Sequence, residues 1–407
     1  MADKKYNQKY IKSRNQGLIL KLLKNDGPMS RASISKEIGI VRSTVSEICN
    51  EMVANNIILE GKKVEGNLGK RPTLIYFNKD YYYFISIVIT IREANIVVCN
   101  LIGEIIEEET IQYSIEEVSA KKITETVFKK TDRIISKIGI EKICLISLGS
   151  PETFNTRTGK IKWAPYISDW VGMDLRELFF ERYKIDVILK DHVKLETIGE
   201  QWKSFSNFSN IIYIVITYGI GSGIIIDGQI REGKSGYLGE IAFLPVAEKF
   251  DYNELLSGNK NLGYFESKCD IRVITEIVKE YIKANNLQYN ISNFSDIASL
   301  YNLKTEIRDL INNNIIRTLA LGIASLVITL DPELVVINGE IVELGQDFLN
   351  LLKNEVEKII PYKRDVVFSS LRNRSKIYGA IKNGLDYIDF IIFREPQSFY
   401  GSNMEQG

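Results

Sequence analysis

The sequence predicts a small, mainly helical head joined to a larger, two-lobed α/β body. Three observations predict this. The first 80 residues hold three short helical patterns, then two β-prone runs around a glycine-rich, cationic stretch. From Tyr81 the pattern changes to alternating strands and helices, and one opening, strand–turn–strand–turn–strand, occurs twice. Charge divides along the same line. Residues 1–80 carry 15 Lys/Arg and 8 Asp/Glu; the whole chain has 52 of each, so the remainder is acidic by the same margin.

At 407 residues, with 45% hydrophobic and 26% charged residues, the chain reads as a globular protein of two or three domains. It lacks a run of about 18 uncharged apolar residues, so no membrane segment is expected. Residues 1–24 are lysine-rich and lack the apolar core of a signal peptide. A cytoplasmic protein is the expectation. Cys49, Cys99, Cys144 and Cys269 form no CxxC pair, and His192 is the one histidine. These predict neither a metal centre nor a disulfide framework, and no cofactor.

In the head, residues 15–25 place Leu18, Ile19, Leu22 and Leu23 on one helical face. Ser30 is a good N-cap for a second helix with Ile34 and Ile38 inward, and Gly39 permits a tight turn. A third helix, about residues 42–55, turns Val45, Ile48 and Met52 inward and leaves Arg42, Ser43, Thr44 and Ser46 outward at its N-terminal end. Val41 is a poor cap for it. Two helices joined by a glycine turn make a helix-turn-helix, whose second helix enters the major groove of DNA. Residues 57–60 and 74–77 then read as a β-hairpin whose wing carries Lys70 and Arg71, placed for phosphates or a minor groove. The head is thus a winged helix-turn-helix, mainly α with a β-hairpin wing. Ser30, Arg31, Arg42, Ser43, Thr44, Ser46, Lys70 and Arg71 are its candidate DNA contacts.

In the body, residues 84–90, 95–100 and 105–109 are strands, followed by a helix near 116–138 and a buried strand at 143–148. This is the start of an actin-like (ribonuclease H-like) α/β lobe. A second start runs through 211–217, 223–226 and a short strand after Gly228. The run Gly219-Ile220-Gly221-Ser222-Gly223 suits a tight hairpin or a phosphate-cradling loop equally. The strand ending at Asn338-Gly339 offers a ligand-facing end.

Together these segments resemble the ROK family (repressors, open reading frames and kinases), specifically its xylose-repressor-like branch. The head motifs are Asn15-Gln16, Ser30-Arg31-Ala32, Ser43-Thr44-Val45-Ser46 and Gly69-Lys70-Arg71-Pro72. The body motifs are Gly149-Ser150-Pro151, Asp169-Trp170, Gly219 to Gly223 with Gly236-Tyr237-Leu238-Gly239-Glu240, and Asp331-Pro332 through Gly339. The resemblance implies a sugar-kinase-type body over 81–407. Lobe one would take about 81–190 plus a returning helix at about 377–391, and lobe two about 191–375.

The departures bear on catalysis. Where the family's kinases carry an Asp-x-Gly phosphate turn, residues 87–92 read Ile-Val-Ile-Thr-Ile-Arg. Asp191 keeps the kinase base position, but Lys190 replaces its amide partner and is expected to pair with it. Phe243 stands at a zinc-ligand position and no cysteine cluster follows, so Phe243, Leu255 and Leu256 are expected to pack that loop. Glu152 and Tyr166 replace a glycine and an asparagine of the family's sugar pocket. The candidate ligand contacts are Glu152, Tyr166, Lys190, Asp191, Glu240 and Glu266, suited to a sugar or an amino sugar.

The resemblance implies a transcriptional repressor of carbohydrate-metabolism genes. It would bind a near-palindromic operator as a homodimer or homotetramer, under control of that ligand, and would not be an enzyme. A sugar kinase with an accessory head, or a repressor that ignores ligands, are the rivals.

Overall fold

The computed structural model describes residues 8–61, 73–114, 119–257 and 262–394. The wing tip with Lys70 and Arg71, and the first residues of the helix expected from 116, lie outside them.

The head is built from α1 (Gln8–Asp26), β1 (Met29–Ser30), α2 (Arg31–Ile38), α3 (Arg42–Ala54), β2 (Ile58–Glu60) and β3 (Leu74–Phe77). The strands form an antiparallel sheet in the order β1-β3-β2. Ser30 caps α2, its Oγ accepting from the Ser33 amide at 3.1 Å. Gly39 ends α2 at φ 68°, a conformation glycine adopts without steric cost. Ile19, Leu20, Leu23, Ile34, Val45, Ile48, Met52 and Ile75 fill the core. The buried face of α1 is one position away from the expected one. Leu20 is inside and Leu18 is 36% exposed.

The body contains two sheets of the same design. The first uses β4 (Tyr83–Ile89), β5 (Glu93–Asn100) and β6 (Ile105–Gln112); then, after α4 (Ala120–Ile138), β7 (Ile143–Ser150); then, after α5 (Leu175–Tyr183), β8 (Val187–Asp191). Its order is β6-β5-β4-β7-β8, antiparallel through the first three strands and parallel through the last three. Helix α6 (His192–Ser204) leads to β9 (Ile211–Ile216), β10 (Ile220–Ile226) and β11 (Gln229–Ile230). A helical layer follows: α7 (Tyr252–Ser257), α8 (Glu266–Cys269), α9 (Ile271–Ala284), α10 (Phe294–Leu303) and α11 (Thr305–Leu330). Then come β12 (Leu334–Asn338), α12 (Gln346–Ile359), β13 (Asp365–Phe368) and α13 (Ser375–Arg394). The second sheet runs β11-β10-β9-β12-β13 with the same directions. The repeated opening in the sequence is therefore a repeated sheet.

Gly221 and Gly223 lie within β10, opposite Val215 and Tyr213. The glycine run is thus a hairpin, closed by the Thr217 amide on the Gly219 carbonyl at 2.9 Å. Helix α11 is long and apolar enough, by length and composition, to cross a membrane. Here it is the central core helix of the second lobe, burying Ile311, Ile315, Leu319, Ile323 and Val327.

Helix α13 packs along α6, on β4 and β7, and on α1 of the head. Ile19, Leu23 and Met52 of the head share one apolar cluster with Phe84, Ile381, Leu385 and Ile388. Lys24 pairs with Asp389 across the same junction. Head and first lobe are joined by buried apolar surface as well as by chain connection.

Candidate functional site

Helix α3 presents its N-terminal turn outward. Arg42 and Ser43 are exposed, and Thr44 and Ser46 half-buried beside them, while Val45, Ile48 and Cys49 fix the opposite face in the core. The helix starts at Arg42, and Val41 supplies no side-chain cap. No acidic residue lies in its first turn, so the positive end of the helix dipole is not offset. Two candidates differ from the rest: Ser30 is buried with its hydroxyl capping α2, and Arg31 is also engaged within the head. Its guanidinium bridges Glu60 at 2.7 Å and Asn50 at 3.0 Å, tying α2 to β2 and α3.

The second site lies between the lobes, at the C-terminal ends of the parallel strands, where α/β sheets hold ligands. A cavity of about 120 Å³ is lined by Glu152, Tyr166, Asp191, Glu240 and Glu266, together with His192, Lys194 and Trp163. Five of the six expected ligand residues meet there. Lys190 does not. Successive strand residues point to opposite faces, so Lys190 cannot share a side with Asp191, and it pairs with Glu232. Asp191 instead caps α6, accepting from the amides of Val193 at 2.9 Å and Lys194 at 3.3 Å.

Each remaining group is positioned by local structure. Glu240 follows Gly239, whose φ of 101° and close approach to Ser222 exclude a side chain; a Cβ there would lie 2.1 Å from the Ser222 carbonyl oxygen. Thr153 donates to Glu240 from the facing lobe. Glu266 accepts from the amides of Ile220 and Gly263, each at 3.2 Å. Tyr166 donates to the Tyr218 carbonyl, which also bridges the lobes. Lys194 is buried, its Nζ donating to the Gly236 carbonyl at 2.6 Å. His192 places Nδ1 3.1 Å from the Ser150 carbonyl.

The carboxylates repel one another in a poorly solvated space. Burial, then the charges of Asp191, Glu240 and Glu266, hold the Glu152 carboxyl well above the usual range. Burial and Asp191 raise Glu240, against the Thr153 hydrogen bond. Burial pushes Glu266 up to about 7, opposed by its two backbone donors.

Beside this pocket is a wider cavity of about 460 Å³, bordered by Thr90, Ile91, Arg92, Asn338, Gly339 and Glu340. Here the Arg92 guanidinium lies 3.8 Å over the Tyr218 ring and 3.4 Å from Glu340, across the lobes. Lys376 pairs with Glu93 at 2.5 Å. Among the described residues, no group of three or more His, Cys, Asp or Glu is arranged to hold a metal. Phe243 is 43% exposed and meets Trp163 edge-on. Leu256 is 61% exposed, so the expected packing of Phe243 with Leu255 and Leu256 does not form. That loop is held instead by Phe250 against Tyr264 and by the Asp251 amide donating to the Tyr264 hydroxyl at 3.0 Å.

Sequence reasoning missed His192, Lys194, Thr153 and the Arg92 bridge. The first two were within reach: they follow Asp191 at the start of a helix that begins at a strand end.

A winged helix-turn-helix fused to a two-lobed, sugar-kinase-like α/β body defines a DNA-binding regulator by class. The model described as the ROK family matches residues 84–382, and that described as winged helix-turn-helix DNA-binding matches residues 12–58. The chain belongs to the ROK family; it is a ROK-family transcriptional regulator with an N-terminal helix-turn-helix. The xylose repressor of Caldicellulosiruptor bescii is 24% identical over 389 residues, 92% of this chain and 96% of that protein. The xylose repressor of Bacillus subtilis is 26% identical over 358 residues, 86% and 88% of the two chains. Among solved structures, a ROK family transcriptional regulator homologous to the MLC protein of E. coli has a TM-score of 0.74 at 19% identity, over 98% of this chain and 100% of that one. A ROK family glucokinase from Streptomyces griseus, in complex with glucose and AMPPNP, has a TM-score of 0.61 at 16% identity, over 74% and 98%.

Proposed function

We propose that this chain represses carbohydrate-metabolism genes, and that a sugar or sugar-like ligand between the lobes lowers its affinity for the operator. The observation that carries the reading is a continuous line of packing. The N-terminal turn of α6 lines the pocket, α6 packs along α13, and α13 packs on α1 of the head. A ligand that favours one closure of the lobes then shifts the head with it, by as much as its affinity differs between the two states.

In this reading two copies of the body hold two heads at the spacing of a near-palindromic operator, in the cytoplasm where the DNA is. Arg42, Ser43, Thr44 and Ser46 read base edges, and the wing residues Lys70 and Arg71 meet phosphates, while Ser30, buried and capping α2, fixes that helix from within. Arg31 supports the reading surface from behind.

The cleft chemistry favours binding over phosphoryl transfer. Four carboxyl side chains, Glu93, Glu196, Glu340 and Glu343, border the wider cavity with the cations Arg92, Arg372 and Lys376, and Arg92 and Lys376 already pair with two of the carboxylates. A triphosphate brought there competes with those pairs for its cations.

The test is an electrophoretic mobility shift on DNA upstream of the protein's own gene at low salt, repeated with a sugar panel. Binding that weakens steeply with salt, and further with one sugar, is the expected outcome. No shift at low salt removes the reading. Sugar-dependent ADP release in a coupled assay removes its non-enzymatic part.

A further inference from the structure

We propose that the interlobe pocket selects a ligand carrying a protonated amine, an amino sugar or amino polyol, with its ammonium seated against Glu152. The proposal rests on the ligand-controlled reading above and names the chemistry of its ligand.

Glu152 is 7% exposed, and its Oε1 has no hydrogen-bond partner. Its backbone is pinned, the Ser150 hydroxyl donating to the Glu152 carbonyl at 2.6 Å, so the residue is held at the pocket wall. The three other carboxylates of the pocket have donors: Asp191 the Val193 amide, Glu240 the Thr153 hydroxyl, and Glu266 the amides of Ile220 and Gly263. Lys194, the one lysine or arginine of the lining among the described residues, donates to the Gly236 carbonyl. Glu152 therefore lines a small cavity with an oxygen that has no protein partner among the described residues, amid carboxyls that crowd one another.

A buried acceptor left unmade is costly, and a buried charge more so. A ligand hydroxyl supplies one donor and no positive charge to favour the ionised carboxylate. An ammonium supplies up to three donors and stabilises the ionised form that burial and the neighbouring carboxylates disfavour, in the stronger, charge-assisted bond. Tyr166 and Trp163 in the same wall supply faces for the carbon skeleton and, in part, for the cation.

The experiment is calorimetric titration of the full chain with D-glucosamine, D-galactosamine and D-mannosamine. Each is compared with its hydroxyl parent and its N-acetyl derivative, and the same ligands are added to the operator complex. At least one amine is expected to bind about tenfold or more tightly than both counterparts. Glu152→Gln should remove that preference. If Glu152→Gln does not fold, the N-acetyl comparison on the unaltered protein decides alone. A neutral sugar that binds as tightly as every amine, a preference that survives Glu152→Gln, or no binding by any of the three amines overturns the inference. A neutral sugar that binds and releases DNA does so while leaving ligand control intact. An amine that binds as expected without changing operator affinity keeps the inference and removes ligand control.

Discussion

Gly379 of α13 lies against the carbonyl of Leu195 in α6, so close that a Cβ there would sit 1.7 Å from the oxygen. Gly199 of α6 makes the reciprocal approach; its Cβ would lie 1.9 Å from the Ser375 carbonyl oxygen. Both contacts are backbone to backbone, so no side chain can rotate away. Gly379→Ala must therefore separate the helices, and is expected to cost about 3 kcal/mol or more, at or beyond the upper end for overpacking. Urea unfolding measures it. The same separation should blunt the ligand's effect on operator binding, since it cuts the line from pocket to head. A stability change below about 0.5 kcal/mol would mean that the helices are not in this contact.

Arg31 and Arg42 are both arginines of the helix-turn-helix, but they predict different phenotypes. Arg31→Ala removes bonds to Glu60 and Asn50 and should destabilise the head by about 1–2 kcal/mol. Arg42 is exposed and forms none of the head's core. Arg42→Ala should leave the melting curve within about 0.5 kcal/mol of the parent and cost about 1–3 kcal/mol of operator affinity. Melting and mobility-shift titrations on both variants separate the cases. Equal loss of DNA binding with unchanged melting in both would place Arg31 in the interface directly.

Local chemistry made much of this fold legible. Ser30 as a cap and Gly39 as a turn follow from the side chain of one and the φ freedom of the other. The repeated strand pattern of the body is written in consecutive β-branched runs. What sequence left open depends on partners far along the chain. Leu18 and Leu20 lie on either edge of an apolar stripe, and tertiary packing on α1, from α13 as well as from the head, leaves Leu20 inside and Leu18 out. The glycines of 219–223 suited a hairpin or a phosphate loop until β9 and β10 paired. Asp191 is legible as a strand-end carboxylate, whereas the pairing of Lys190 with Glu232 depends on the pleat of β8 and on a residue 42 positions away. In sequence Arg92 marks only the absence of a phosphate turn. Its role as a bridge needs Glu340, 248 residues away.

That bridge gives a further expectation. Arg92 makes one half-exposed ion pair and one ring contact, together about 1–2 kcal/mol at most. Arg92→Ala should therefore change global stability little. It should loosen the lobes locally, because both partners lie on the opposite lobe. Amide hydrogen exchange is expected to rise at the Thr217–Gly219 turn and around Gly339, and the scattering radius to increase slightly. Exchange unchanged at both places would show that the closure is held without Arg92.

The pocket carboxylates also write a pH signature. Glu266 is raised by burial from an ordinary 4.5 to about 7 in the folded chain. A raised acid pKa means that the folded state holds the proton more tightly than the unfolded one. Its contribution is complete below about pH 4.5 and is lost as pH rises to about 7. At about 1.4 kcal/mol per pH unit, the loss is on the order of 3–4 kcal/mol. Glu152 and Glu240 are displaced in the same direction and add to it. Glu266→Gln cannot titrate there, so its stability relative to the parent should improve across that window and level off above it. Urea unfolding of both proteins at pH 4.5, 6 and 7.5 checks this. A parallel pair of profiles would mean that Glu266 titrates normally, and that the two backbone donors outweigh its burial.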